Sequence, residues 1–352
     1  MKLHAYSITS SASASNLSGI SRPSAFAVLS RRDFITLLGG AAAAWPLAAR
    51  AQEPGRTYRL GGMTPSTRDA PHYVALFDEL RRHGFVEGEN LTIEGRGFAG
   101  RTEQFPDIAV ELVKAKVDVI FCAGDVAIRA AQQATATIPI LAVTDDMVGS
   151  GLVRSLANSG GNTTGVSILA TELDGKRQEI LMEAVPGLRR MAALADSNTT
   201  AARQLQALQE AARARGVELS IHRVSKSEEV VPAIDAAKTS EAAALNVLAS
   251  PLLFANRQGI FERAAALRLP AVYQWPEMAE QGGLVAYGPR IVQIFREVVA
   301  RQLVKLLRGA KPADLPVEQP TNFELVINLK TAKAIGHEVP AGFVLRADKV
   351  IE

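Results

Sequence analysis

The amino-acid sequence predicts an α/β protein of two doubly wound parallel-sheet lobes joined by a hinge, on three observations. A chain of 352 residues exceeds what one ordinary core fills and suits two lobes of roughly 120–150 residues each. From Tyr58 onward, short β-branched or apolar runs alternate with amphipathic stretches of helical period, the pattern of repeated βα units and parallel sheets. The alternation runs once to about residue 168 and then starts again with no low-complexity linker, so several crossing strands must join the lobes and act as a hinge.

In the first half the spacing predicts strands at Arg59–Met63, Leu91–Glu94, Val117–Cys122, Ile138–Val143 and Thr164–Ile168, with helices near Ala70–His83, Phe105–Lys114 and Ala127–Ala134. The second half repeats the scheme with strands at Met191–Ala195, Val217–Arg223, Ala243–Leu248, Ala271–Gln274 and Leu284–Ala286, and helices near Thr200–Arg215, Ser227–Ala237 and Leu252–Leu267. Pro139 and Pro270 each enter a strand, where no ladder donor is needed. A helix at Ile291–Leu307 carries one apolar stripe and follows a crossover. A rigid connector at Lys311–Pro316, a strand at Phe323–Leu329 and a short helix at Thr331–Ile335 complete the chain. Lobe 1 is placed at residues 57–166 with 288–320 returning to it, lobe 2 at 167–287, and 321–352 near the hinge.

The first fifty-one residues differ in kind. A Ser/Ala-rich lead precedes Ser30-Arg31-Arg32-Asp33-Phe34-Ile35, an apolar stretch from Phe34 to Ala44, and Ala49-Arg50-Ala51, the n-, h- and c-regions of a signal peptide. The adjacent arginines resemble a twin-arginine signal, with cleavage expected before Gln52 and a soluble, periplasmic product. The apolar run falls short of the ~20 residues that span a bilayer. Residues 1–51 hold five of the 39 basic and one of the 36 acidic residues, so the net +3 of the whole chain falls to near −1. A nucleic-acid partner, which needs a clustered basic face, is not expected. The single cysteine, Cys122, rules out an intrachain disulfide and reads as a buried core thiol.

No catalytic constellation stands out: there is no Gly-x-Ser-x-Gly elbow, His-Glu-x-x-His, Cys/His cluster or phosphate loop. His72, His83, His222 and His337 are scattered without metal spacing and read as surface or helix-end residues. Neither an enzymatic activity nor a cofactor is expected. What remains is small and polar residues at predicted strand C-termini, where an open parallel sheet binds ligands. Ser66 follows the first strand. Ala123, Gly124 and Asp125 follow the third and open a helix, whose free amides suit a ligand carboxylate. Thr144 adds a hydroxyl, and Asp145 and Asp146 offer carboxylates for an ammonium. Ser197, Asn198 and Ser250, with Tyr273 and Trp275, are the counterparts in the second half. Ser66, Asp125, Ser197 and Thr199 serve equally well as helix N-caps, and Tyr273 and Trp275 either stack on a ligand or cover the hinge.

Several longer strings carry a family resemblance. Phe85-Val86-Glu87-Gly88-Glu89-Asn90-Leu91, Lys116-Val117-Asp118-Val119-Ile120, Val148-Gly149-Ser150-Gly151-Leu152-Val153, Gly160-Gly161-Asn162-Thr163-Thr164-Gly165 and Tyr287-Gly288-Pro289 resemble the ABC transporter substrate-binding family related to tryptophan and tyrosine binders. The resemblance runs from Tyr58 to Glu352. It implies a type I periplasmic binding fold with three crossovers, a small-molecule ligand enclosed between lobes, and an inner-membrane ABC permease with its ATPase as partner; a monomer is expected. The chain departs from the family where Asp145-Asp146-Met147 stands in place of Gly-Asp-Pro, so an aromatic amino-acid ligand does not carry over. The resulting expectation is capture of a small carboxylated, amino-acid-like solute for import. The alternative from another class is a periplasmic sensing module for a signalling receptor, which an adjacent kinase gene would favour.

Overall fold

A computed structural model describes residues 55–352; the expected signal peptide and cleavage point lie outside the described residues. The first sheet is built from β1 (Tyr58–Met63), β2 (Leu91–Glu94), β3 (Val119–Ala123), β4 (Ile140–Thr144) and β5 (Thr163–Ser167), in the order β2-β1-β3-β4-β5 and parallel throughout. Helices α1 (Pro71–Arg82), α2 (Phe105–Lys114) and α3 (Asp125–Ala134) make its crossovers.

A helix that the apolar periodicity does not predict, α4 (Ala170–Ala184), leads into the second sheet. There follow β6 (Arg190–Asp196), α5 (Ala202–Ala214), β7 (Glu218–Val224), α6 (Val230–Thr239) and β8 (Leu245–Val247). The single helix predicted at 252–267 is two, α7 (Pro251–Ala255) and α8 (Arg257–Ala266), broken at Asn256. Then come β9 (Ala271–Tyr273), α9 (Pro276–Glu280) and β10 (Val285–Gly288). Helix α10 (291–307) contains a π-helical turn at Ile294–Val299. The chain ends with β11 (Glu324–Asn328), α11 (Leu329–Ile335), α12 (Ala341–Val344) and β12 (Lys349–Ile351). The second sheet runs β12-β11-β10-β9-β8-β6-β7, parallel except between β10 and β11.

The chain passes between sheets three times: from β5 into α4, from β10 into α10, and from the 315–318 segment into β11. Helix α10 packs on α1 of the first sheet, and Glu318 bridges to Val166 beside β5. Thr164 anchors that returning segment by donating its hydroxyl to the Leu315 carbonyl at 2.9 Å. Both strand-entry prolines act as acceptors: Ile120 N–H bonds the Pro139 carbonyl and Leu245 N–H the Pro270 carbonyl, each at 2.9 Å. Proline loses only a donor, so a carbonyl-only pairing suits it. No described helix is long and apolar enough to cross a membrane.

Candidate functional site

The C-terminal edges of the two sheets face each other, and a cavity of about 50 Å3 lies between them. Strand ends supply its polar lining. Thr64 and Ser66 follow β1, Ala123 ends β3, Thr144 and Asp145 close β4, Ser250 and Pro251 follow β8, and Gln274 and Trp275 follow β9. This is the crevice outside the carboxyl ends of the strands where open α/β sheets bind ligands. The apolar lining comes from helices: His72 and Tyr73 from α1, Phe254 from α7, Ile291 and Phe295 from α10, with Val143 and Ile168 from the first sheet.

His72 corrects its assignment as a surface residue, since it is 3% exposed. It sits second in α1, after Pro71, which suits a first turn because its missing N–H has no helical partner. Its ring packs on Phe295 and Phe254, with centroids 4.6 and 5.5 Å away. Burial, with the nearby Arg257 charge, pushes its pKa down to about 3, so it lines the cavity as a neutral ring. Tyr73 donates its hydroxyl to Thr64 Oγ1 at 2.7 Å. The π turn in α10 places Phe295 against His72, Tyr73 and Phe121.

Among the described residues, Asp145 is the only carboxylate on the cavity wall. Its backbone carbonyl accepts from Ser167 Oγ at 3.4 Å, and among the described residues its carboxylate makes no side-chain hydrogen bond or ion pair. The group touches the cavity and so keeps some accessible surface, but protein encloses the rest. Burial, then the charges of Asp125, Asp174 and Asp196, push its pKa well above the usual carboxylate range, with Arg177 partly opposing.

Behind it lies a second layer that the sequence reading missed. Asp174 and Arg177 of α4 are 0% and 1% exposed. Arg177 Nη1 donates to Asp174 Oδ1 at 2.7 Å, its Nε to the Tyr287 carbonyl at 2.7 Å, and its Nη2 to the Gln274 carbonyl at 3.2 Å. Asp174 also accepts from Ala249 N–H at 3.2 Å and Gln204 Nε2 at 2.8 Å. Burial drives both groups toward neutrality, and their mutual contact holds them charged. Gly288 is required here: a Cβ on it would stand 2.1 Å from the Gln274 carbonyl oxygen.

A smaller adjoining cavity, about 30 Å3, is lined by Ala123, Gly124, Asp125, Asp196, Asn198 and Pro251 among others. The loop read as an anion cradle has different electrostatics. The Gly124 N–H is already bonded to the Val143 carbonyl at 2.9 Å. The Thr144 hydroxyl donates to Asp125 Oδ1, so the hydroxyl assigned to a ligand carboxylate is committed to a protein one. Across the seam, Asp196 Oδ2 accepts from Ser250 Oγ at 2.8 Å and its Oδ1 from Asn198 N–H at 2.9 Å.

Of the residues singled out in the sequence, Ser66, Ala123, Thr144, Asp145, Ser250 and Trp275 line the first cavity, and Gly124, Asp125 and Asn198 join Ala123 on the second. Three lie elsewhere. Asp146 caps its own turn through Gly149 N–H at 2.7 Å. Ser197 is exposed and its Oγ accepts from Arg223 Nε. Tyr273 is 2% exposed, with its ring edge-on to Phe261 at 5.0 Å, in the core rather than over the hinge. Of the two aromatic residues, Trp275, which lies beyond the end of β9, lines the cavity.

Gly124 and Pro251 meet where the two sheets approach. Gly124 has φ +88°, and a Cβ there would sit 3.0 Å from Pro251 Cγ. Gly124→Leu is expected to wedge the lobes apart and enlarge the radius of gyration of the empty protein in solution scattering. A radius equal to wild type would show that Pro251 yields instead.

The chain is 26% identical over 262 residues, 73% of this chain and 74% of the relative, to the tyrosine-binding protein of Clostridioides difficile (strain R20291). A Streptococcus pneumonia ABC domain in complex with L-Trp superposes with a TM-score of 0.74 at 22% identity, covering 84% of this chain and 100% of that one. A conserved domain protein from Vibrio cholerae o1 biovar eltor gives 0.74 at 24% identity, covering 84% and 99%. These solved structures share the fold of two lobes around a cleft, the type I periplasmic binding architecture. With the family model for ABC transporter substrate binding proteins matching residues 70–351, a span that holds every strand after β1 and the whole cavity wall except Thr64 and Ser66, the chain belongs to that substrate-binding family and is not an enzyme.

Proposed function

We propose that the protein is the exported, periplasmic solute-binding component of an ABC importer, capturing a small amino-acid-like ligand between its lobes and presenting it to an inner-membrane permease with its ATPase. The observation that carries this reading is the cavity at the facing strand ends, with aromatic walls and a single unpaired carboxylate, Asp145. Enclosure of the Asp145 carboxyl disfavours its charged form, so a ligand that supplies the opposite charge would be favoured there. Asp145 receives the ligand ammonium, Ser66 offers an uncommitted hydroxyl, and Trp275 and Phe254 cover the apolar part. Asp125 and Asn198 line the way to the adjoining cavity. The ligand names of relatives, tyrosine and L-Trp, support an amino-acid-like solute. The twin arginines Arg31 and Arg32 and the small residues before Gln52 support export and cleavage there.

The three crossings allow the lobes to rotate with little disturbance of either core. Saturation with a solute whose binding is established by calorimetry is therefore expected to reduce the radius of gyration. An unchanged radius at saturation would count against capture by closure.

A further inference from the structure

We infer that Trp275 is a donor to the ligand as well as part of its wall: its indole N–H bonds an oxygen of the solute's carboxylate, while Asp145 on the other lobe holds the ammonium. This deepens the solute-binding reading above and rests on it. The solute is then read at two ends, one from each lobe.

The donor stands out by its isolation. Trp275 is 4% exposed, and its Nε1 is buried with no acceptor among the described residues. The acceptors next to it in the chain are turned to other donors. The Gln274 carbonyl accepts from Arg177 Nη2 at 3.2 Å, Gln274 Oε1 from Ser250 N–H at 3.1 Å, and the Trp275 carbonyl from Met278 N–H at 2.8 Å. A buried donor left unmet is destabilising and rare in native folds. Its acceptor is therefore to be sought in the neighbouring space that protein leaves unfilled, the cavity that Trp275 lines.

The ring is also held in place. Pro276 follows Trp275 and keeps it extended just before α9, at φ −122° and ψ 135°. Phe254 meets it edge-on, with centroids 6.5 Å apart. A donor fixed in this way has little freedom left to lose when a ligand oxygen arrives.

The acceptor belongs to the same solute as the ammonium. Asp145 closes β4 in the first lobe and Trp275 follows β9 in the second, and both line one cavity. Ser66, also of the first lobe, brings a hydroxyl to that cavity that can donate to the second carboxylate oxygen. An ammonium for Asp145 and an acceptor oxygen for Trp275 are the two ends of an α-amino acid. An amine supplies only the first and leaves the indole N–H against apolar surface. A site built to bond a group rejects the analogue that lacks it. A water that meets the N–H in the empty protein does not soften this, because an amine displaces it without replacing its bond.

The test pairs each amino acid with the amine that lacks only its carboxylate: valine and isobutylamine, leucine and isopentylamine, tyrosine and tyramine, tryptophan and tryptamine. Each is titrated by calorimetry into the full chain and into Trp275→Phe, with thermal melts confirming that both are folded. At least one amino acid is expected to bind about tenfold or more tighter than its amine. Trp275→Phe should weaken that amino acid about ten- to a hundredfold and its amine at least about tenfold less, since lost ring packing is common to both. An amine binding as tightly as its amino acid, or equal losses in the variant, overturns the assignment and leaves solute binding standing. The chain holds two tryptophans, so the indole N–H signal missing from the NMR spectrum of Trp275→Phe belongs to Trp275. In the wild-type protein that signal should move downfield on saturation with the amino acid and not with the amine. Equal movement with both, or none with either, overturns the bond without recourse to the variant's affinities. Binding by no member of any pair overturns the assignment too. Native mass spectrometry of protein purified without denaturation then decides the wider reading: a retained small molecule preserves solute binding, and none counts against it.

Discussion

Asp145→Asn is expected to abolish ligand capture while raising the melting temperature of the empty protein. Truncating one partner of a desolvated charge pair costs about 3 kcal/mol or more, over a hundredfold in Kd. The stability effect has the opposite sign. A raised carboxyl pKa means that the folded protein holds its proton more tightly than the unfolded chain does. The empty protein is therefore favoured below the unfolded-chain value of 3.8 and loses stability as pH rises through the raised value. The facing groups Asp125, Asp174, Asp196 and Arg177 stay in place in the variant, and His72 is neutral throughout that window. Asparagine has no proton to lose, so the variant should gain about 1–3 kcal/mol at neutral pH. Proton and ammonium compete for the same carboxylate, so wild-type affinity should fall as the solution is acidified. Parallel melts and titrations from pH 4 to pH 8 check both; a variant less stable than wild type at neutral pH would show that Asp145 has a partner in the fold.

Arg177→Met is expected to be the most damaging single change in the second lobe. It strands the buried Asp174 carboxylate and leaves the Tyr287 and Gln274 carbonyls without their donor. Breaking a buried pair from one side costs about 3–5 kcal/mol, which lowers the melting temperature by roughly 10 °C in a chain of this size. Asp174→Leu combined with Arg177→Met removes both charges and should recover much of the loss. A double variant no better than the single one would mean that the ion pair itself, not the stranded charge, holds α4 in place.

The βα alternation was legible because parallel strands buried on both faces read as continuous apolar runs, and the strand-end loops followed from it. Helix α4 was not, because its inward side carries Asp174, Arg177 and Gln178 beside Leu173, Ile180 and Leu181, which erases the apolar stripe that marks a helix. The same blindness hid the charge balance of the site, since the one guanidinium in the cluster lies on that helix. The polar half of the wall was found from strand ends, whereas His72, Phe254 and Phe295 arrive from helices, and no spacing rule links 72 to 295. The π turn that aims Phe295 leaves no mark in an apolar pattern read at 3.6 residues per turn. At Gly124 the helix start opens with Asp125 as its first residue, a charge that sits beside the free amides.

The late return of the chain to the first sheet sets an order on folding. Helix α1 buries Tyr73, Leu76 and Leu80 beneath α10, whose sequence begins more than two hundred residues later. A nascent chain released as far as β5 has all five strands of the first sheet but lacks the cover for that face, so the half emerging first must wait for the half emerging last. Such long-range closure slows assembly and leaves apolar surface open in the meantime. The first lobe is thus finished only after the strands β6 to β10 of the second have been made, and its contiguous stretch up to β5 lacks the cover of one face.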